Sequence, residues 1–222
     1  MGNQIIKRAN QVKYLGVIID DKFSWKPYIQ TVRSKLARGC WILSKLSRIV
    51  DISTLKNIYY GLIYSNIIYC ISCWGWVGKR NLLNQDQIKP KTKLSSLEVL
   101  QNRALRIMCK VPRQTSSSPL YQKLGLLKLQ DIYFLQITTI MHRIKNNNWK
   151  GNFDIETIQD IHNYPSRFSQ DNYYTEKIHC EKSRGALTVA GPAAWRNVPQ
   201  DLKTKDLSTF KSAMKLHLIQ KY

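Results

Sequence analysis

From Ile58 to Val77 no residue carries a charge, and a stretch of that length needs either a protein core or a bilayer to surround it. Four tyrosines (Tyr59, Tyr60, Tyr64, Tyr69), Ser65, Asn66, Ser72, Gly61 and Gly75 interrupt it. Lys56 flanks one side and Lys79-Arg80 the other, which gives no orientation bias for insertion. The polar content favours a buried core helix, begun by Ser53 as a good N-cap and running through Trp74. A membrane span is the alternative. The rest of the fold has to supply the apolar faces that would cover such a helix.

Those faces are legible. Ile29, Val32, Leu36, Cys40, Leu43, Leu46 and Val50 recur every three or four residues, which at about 100° per residue is one stripe of a helix. Lys26, Arg33, Arg38, Lys45 and Arg48 fall on its other side. Ser95 and Glu98 stand at capping-box spacing before Leu97, Leu100, Ala104, Leu105 and Met108, so a further helix is expected there, ending before Pro112. It bears Arg103, Arg106 and Lys110 on a basic stripe. A short helix and a longer one over Gln130–Lys145 follow, the latter with Ile132, Leu135, Thr139 and Ile140 on its apolar side. Ser208 is expected to cap a last helix through Phe210, Met214 and Leu218. The β-branched and aromatic run Gln11–Ile19 reads as a strand, with Asp20-Asp21 as its turn and Gln4–Arg8 as the strand pairing with it. Phe153 to Ala190 reads as short strands or extended segments, and Gly191-Pro192 as a break. The expected class is mainly α with a short N-terminal β-hairpin, a helical bundle, and a small mixed α+β C-terminal segment.

Charge narrows the function. Lys and Arg number 35 against 14 Asp and Glu, a net charge of +21, which a polyanion would neutralise. Residues 1–150 hold 25 basic and 6 acidic side chains, and 151–222 hold 10 and 8. The basic part is therefore the binding part, with nucleic acid the first partner and anionic membrane the second. Aromatics stand among the cations at Lys13-Tyr14, Lys22-Phe23-Ser24-Trp25-Lys26, Trp41, Trp74 and Trp76 before Lys79-Arg80, and Trp149-Lys150, where bases could stack while phosphates are neutralised. The competing explanation is a solvated basic face over core aromatics.

Catalytic patterns are scarce. Two-metal nucleotidyl transfer needs carboxylates from separate segments, and Asp20-Asp21 is the lone adjacent pair, read here as a solvated turn. Cys70-Ile71-Ser72-Cys73 has the spacing of half a zinc site, without a second half; it reads as core. His142, His162, His179 and His217 are scattered. No Walker A, G-x-G-x-x-G or G-x-S-x-G sequence occurs. The cysteines Cys40, Cys70, Cys73, Cys109 and Cys180 are odd in number and no signal peptide opens the chain, so a reducing compartment without a disulfide framework is expected.

Four blocks in order carry a family likeness: Lys13-Tyr14-Leu15-Gly16-Val17 through Trp25-Lys26-Pro27; Tyr69 to Trp74-Gly75; Leu100-Gln101-Asn102-Arg103-Ala104-Leu105-Arg106-Ile107; and Gly191-Pro192-Ala193-Ala194-Trp195-Arg196-Asn197-Val198-Pro199 with Phe210-Lys211. Together they resemble the C-terminal region of jockey-type non-LTR retrotransposon reverse transcriptases. The resemblance implies a primer-positioning hairpin over 1–24, a basic helical thumb-like domain over 25–150, and a post-thumb segment over 151–222. It also implies that the palm and its catalytic carboxylates precede this region, so that the chain needs no cofactor and Mg²⁺ belongs to a palm-containing polypeptide. RNA, DNA or their hybrid is the implied partner, with Lys13, Lys26, Arg33, Arg38, Lys45, Arg48, Arg103 and Arg106 on phosphates. Two departures stand out: Ser65 where the family often has proline, and Asn163-Tyr164-Pro165-Ser166-Arg167 in place of Tyr-x-Thr-Arg. A polymerising enzyme, a membrane-associated structural protein and a decayed element remnant stay open as alternatives.

Overall fold

The computed structural model describes residues 8–76, 94–146, 155–161, 173–175 and 185–222. Within them the chain is mainly helical, with one two-stranded antiparallel hairpin. The hairpin differs from the expected one. β1 (Gln11–Tyr14) and β2 (Val17–Asp20) arise from the segment read as a single strand, pairing Tyr14 with Val17 and Gln11 with Asp20. The connection is Leu15-Gly16, with φ of 45° and 81°, the positive pair that a two-residue type I′ turn needs and that Gly16 makes accessible. The Gln4–Arg8 strand falls on residues outside those described, Arg8 excepted.

Asp20 then shapes the exit. It is buried, and its two oxygens accept from the backbone N–H of Ser24 at 3.0 Å and Trp25 at 2.9 Å. Burial pushes its pKa up, but the hydrogen bonds from Ser24 and Trp25 outweigh that and lower it. The carboxylate is thus a structural brace and not the solvated turn expected. Trp25 adopts a left-handed φ of 59° and Pro27 enters the first turn of α1 (Lys26–Leu46). The stripe anticipated from sequence is the buried one: Ile29, Val32, Leu36, Cys40 and Leu43 are inside, joined by Tyr28 and Gly39. Val50 lies beyond the helix end.

The uncharged run is buried without being one helix. It begins as α2 (Ile52–Tyr59), capped by Asp51 through the Ser53 amide at 3.1 Å, two residues before the expected cap. A π-helical turn over Tyr60–Tyr64 follows, then α3 (Ser65–Ile68), a left-handed Cys70 at φ 51°, and α4 (Ile71–Trp74). At the π turn the Ser65 hydroxyl donates to the Gly61 carbonyl and Asn66 Nδ2 to that of Leu62 at 2.8 Å. The widened turn takes the Ser65 amide to the Tyr60 carbonyl, and short polar side chains reach the Gly61 and Leu62 carbonyls. Leu55, Tyr59, Ile63, Ile67, Ile71 and Trp74 nevertheless form one buried row. No helix among the described residues is long and apolar enough to cross a membrane.

Around this row pack α1, α5 (Ser95–Cys109) and α7 (Leu129–Lys145), with α6 (Ser118–Leu124) on α5. Ser95 is inside α5; Leu94 holds the cap position without a side-chain bond, so the expected capping box does not form. The described elements of the C-terminal part are one β-bridge, Thr157 to Tyr173, and the helices α8 (Ile158–Ile161), α9 (Leu187–Arg196), α10 (Gln200–Lys203) and α11 (Leu207–Gln220). Gly191-Pro192 does not break the chain but sits inside α9. A Cβ at Gly191 would meet Met141 Sδ at 2.5 Å, so the glycine serves a close crossing of α9 over α7. Trp195, His142 and Phe210 fill that crossing, with the His142 and Phe210 rings stacked at 4.6 Å. Tyr222 closes the bundle, donating to Asp131 at 2.7 Å and accepting from the Lys128 amide at 2.9 Å.

Candidate nucleic-acid interface

The C-terminal end of α1 and one face of α5 enclose a groove of about 790 Å³. The two helices are in direct contact, with Cys40 Sγ donating to the Leu100 carbonyl at 3.3 Å. The floor is apolar, from Val99, Leu100, Ile107 and Val111, and the walls carry Arg48, Arg103, Arg106, Lys110 and Arg113. Among the described residues no carboxylate lines it.

The end of α5 explains how the last three cations gather. Lys110 takes a left-handed φ of 54° and the Val111 amide bonds back to the Arg106 carbonyl at 3.1 Å, the six-to-one bond of a Schellman end. This reverses the chain at Lys110. Thr115 N–H closes a turn onto Pro112 O at 3.1 Å, and Arg106 Nε donates to Thr115 O at 2.8 Å. Arg106 therefore pins the loop that carries Arg113. Arg48, Arg103, Lys110 and Arg113 are exposed, so phosphate can be neutralised without the cost of burying a lone cation.

Of the cations expected on phosphates, the groove unites Arg48, Arg103 and Arg106. Lys13 lies exposed on β1, and Lys26, Arg33, Arg38 and Lys45 lie exposed along α1; none of them lines the groove. Lys45 Nζ stands 5.7 Å from the ring of Trp41, which is 61% exposed. Arg113 was not anticipated. Its signal was faint, a cation after Pro112 in a segment with no periodicity.

The residues of the family-like blocks do different work. Gln101 is fully buried and bridges three elements: its Nε2 donates to Tyr59 Oη and Leu127 O, both at 2.9 Å, and its Oε1 accepts from Leu129 N at 3.0 Å. Asn102 accepts from Tyr121 Oη at 2.9 Å. Trp74 is buried, donates to Tyr69 O at 3.0 Å and meets Tyr28 edge-on at 5.9 Å. Tyr69 in turn donates to the Leu15 carbonyl, tying the hairpin turn to the bundle. Tyr14 is exposed, Leu15-Gly16 make the turn, and Trp25 and Trp195 are core. Pro192 lies within α9 and Pro199 occupies the cap position of α10. Such residues fix the scaffold on which the cations stand.

Two curated proteins of Drosophila melanogaster match the chain. One is the probable RNA-directed DNA polymerase from transposon BS, 24% identical over 131 residues, 57% of this chain. The other is the RNA-directed DNA polymerase from mobile element jockey, 23% identical over 135 residues, 59% of this chain. Over somewhat more than half its length, the chain is thus similar to two RNA-directed DNA polymerases of mobile elements. It spans only 13% of the length of either polymerase. No protein-family profile matches it, and no solved structure does. No group of three or more His, Cys, Asp or Glu able to hold a metal ion occurs among the described residues. Asp21 faces Arg8 at 3.6 Å and Asp20 is occupied by backbone amides.

Proposed function

We propose that this chain is a non-polymerising part of a retroelement reverse transcriptase that holds template–primer nucleic acid, with the groove between α1 and α5 as its principal phosphate site. The observation that carries this reading is the convergence of Arg48, Arg103, Arg106, Lys110 and Arg113 on one concave surface without a carboxylate among the described lining. Cations so placed displace the counterions condensed on a duplex. Lys26, Arg33, Arg38 and Lys45 extend the positive surface along α1, about 30 Å long at 1.5 Å per residue. The likeness to jockey-type polymerases supports a thumb-like role for these helices, and it leaves metal-dependent nucleotidyl transfer to a separate palm that would bring Mg²⁺.

The test is binding of the purified chain to a labelled RNA–DNA hybrid across a salt series, with primer extension on the same sample. Log affinity is expected to fall linearly with log salt, at about 0.9 per neutralised phosphate, and no extension should occur. Extension lost in Asp20→Asn would overturn the non-polymerising role, and a folded chain that ignores the hybrid would overturn the binding role.

A further inference from the structure

Cys70-Ile71-Ser72-Cys73 lies outside the groove, with Ile71 in the core, Cys70 packed against its edge and Cys73 at the surface. Cys73 is exposed and Cys70 half-buried, so the pair is not the inert core feature expected from its apolar surroundings. The Cys73 amide donates to the Cys70 carbonyl at 2.9 Å. That bond closes a turn in which the first and fourth Cα atoms lie within about 7 Å, overlapping the range a disulfide spans. Cys70 occupies the cap of α4 and Cys73 its third position, neighbouring places over one helical turn. Both thiols bear electrostatically on Tyr28, and Cys73 bears on Cys70.

We propose that Cys70 and Cys73 are a redox-active dithiol that closes reversibly to an intramolecular disulfide, with low-molecular-weight disulfides such as oxidised glutathione as the co-reactant class. The exposed Cys73 thiolate attacks one glutathione sulfur, forming a mixed disulfide and expelling one glutathione thiolate. The Cys70 thiolate then attacks Cys73 sulfur and expels the second. Two protein thiols lose two protons and two electrons, and one oxidised glutathione becomes two reduced ones. Exposure assigns the order: Cys73 is exposed and meets the external disulfide first, while the half-buried Cys70 acts in the second step, where the mixed disulfide is held beside it on the same turn. The pair adjoins the hairpin anchor, since Tyr69, next to Cys70, holds the Leu15 carbonyl. Cys40, fully buried with its thiol on Leu100 O, serves as an unreactive internal control.

The full chain is equilibrated with defined ratios of oxidised to reduced glutathione, alkylated, and measured by intact and peptide mass spectrometry. The expected product is monomeric, lighter by two hydrogens before alkylation, with Cys70 and Cys73 protected together and Cys40 protected in neither state. Alkylation of Cys40 is read after unfolding. Cys70→Ser should accumulate the glutathione adduct on Cys73, because the resolving thiol is gone. A wild-type chain that retains the adduct on Cys73, alkylates the two positions independently, or dimerises through Cys73 would overturn the proposal. The wild-type measurement decides the matter even if the variant does not fold.

Discussion

Gln101 shows how a single polar side chain organises this core. Both ends of its amide are used inside the protein, toward Tyr59 on α2, Leu127 before α7 and Leu129 at its start. In Gln101→Leu the leucine leaves a buried carbonyl, amide and phenol short of partners, and each such group costs about 1–3 kcal/mol. The urea midpoint should therefore drop by the equivalent of about 3 kcal/mol or more, whereas Asn102→Ala, which removes one half-buried acceptor from a single phenol, that of Tyr121, should cost less. Gly75 is a second sensitive residue. A Cβ there would meet the Ile71 carbonyl at 2.7 Å and Tyr133 Cδ2 at 2.5 Å, and because one neighbour is backbone, Gly75→Ala should lower Tm more than Gly61→Ala, where nothing lies within 4 Å. The sequence displayed Gln101-Asn102 and Gly75 as members of a pattern. Their roles were not legible, since the partners of Gln101 are 26 to 42 residues away in the chain.

At the scale of elements, two helix starts follow one rule that the sequence reading missed by two positions. Ser53 and Ser208 were the expected caps, but Asp51 and Asp206 hold those places and accept from the serine amides at 3.1 and 3.0 Å. A carboxylate accepts more strongly than a hydroxyl, and the serines add their own hydroxyls to it. The hydrogen bonds from Ser53 and Thr54 lower the Asp51 pKa to about 2 from 3.8, and those from Ser208 and Thr209 lower that of Asp206. A lowered folded-state value means stability that is complete above the unfolded value and lost as pH falls through the folded one. Tm should accordingly decline as pH passes from 3.8 toward 2, and less steeply in Asp51→Ala with Asp206→Ala, as followed by circular dichroism. The periodic stripe of α1 was readable because burial imposes a 3.6-residue period on the sequence. The break at Tyr69-Cys70, the π turn and the passage of α9 through Gly191-Pro192 were not, because each depends on a close tertiary neighbour. The hairpin was misplaced for a related reason: the turn signal was a single Gly16 after an apolar Leu15, easily read as strand.

Over the whole molecule, charge and packing divide the chain differently from a simple basic domain and neutral tail. The basic excess does lie before residue 150, but α9 and α11 cover α7 and share its core. Trp195→Ala should therefore destabilise the whole bundle, by about 3–5 kcal/mol, in one cooperative transition and not in a separate C-terminal one; calorimetry distinguishes the two. The five groove cations, by contrast, come together where α1 and α5 meet, and this could not be read from either helix alone because it depends on which faces turn toward each other. The most direct measurement compares the salt dependence of RNA–DNA hybrid binding for the wild-type chain, a groove variant (Arg103→Glu, Lys110→Glu, Arg113→Glu) and an outer-face variant (Lys26→Glu, Arg33→Glu, Arg38→Glu), all shown to be folded by circular dichroism. The groove variant should lose most of the slope and at least tenfold in affinity, about 1.4 kcal/mol, while the outer-face variant loses less. Equal slopes for the wild-type chain and the groove variant would contradict the account.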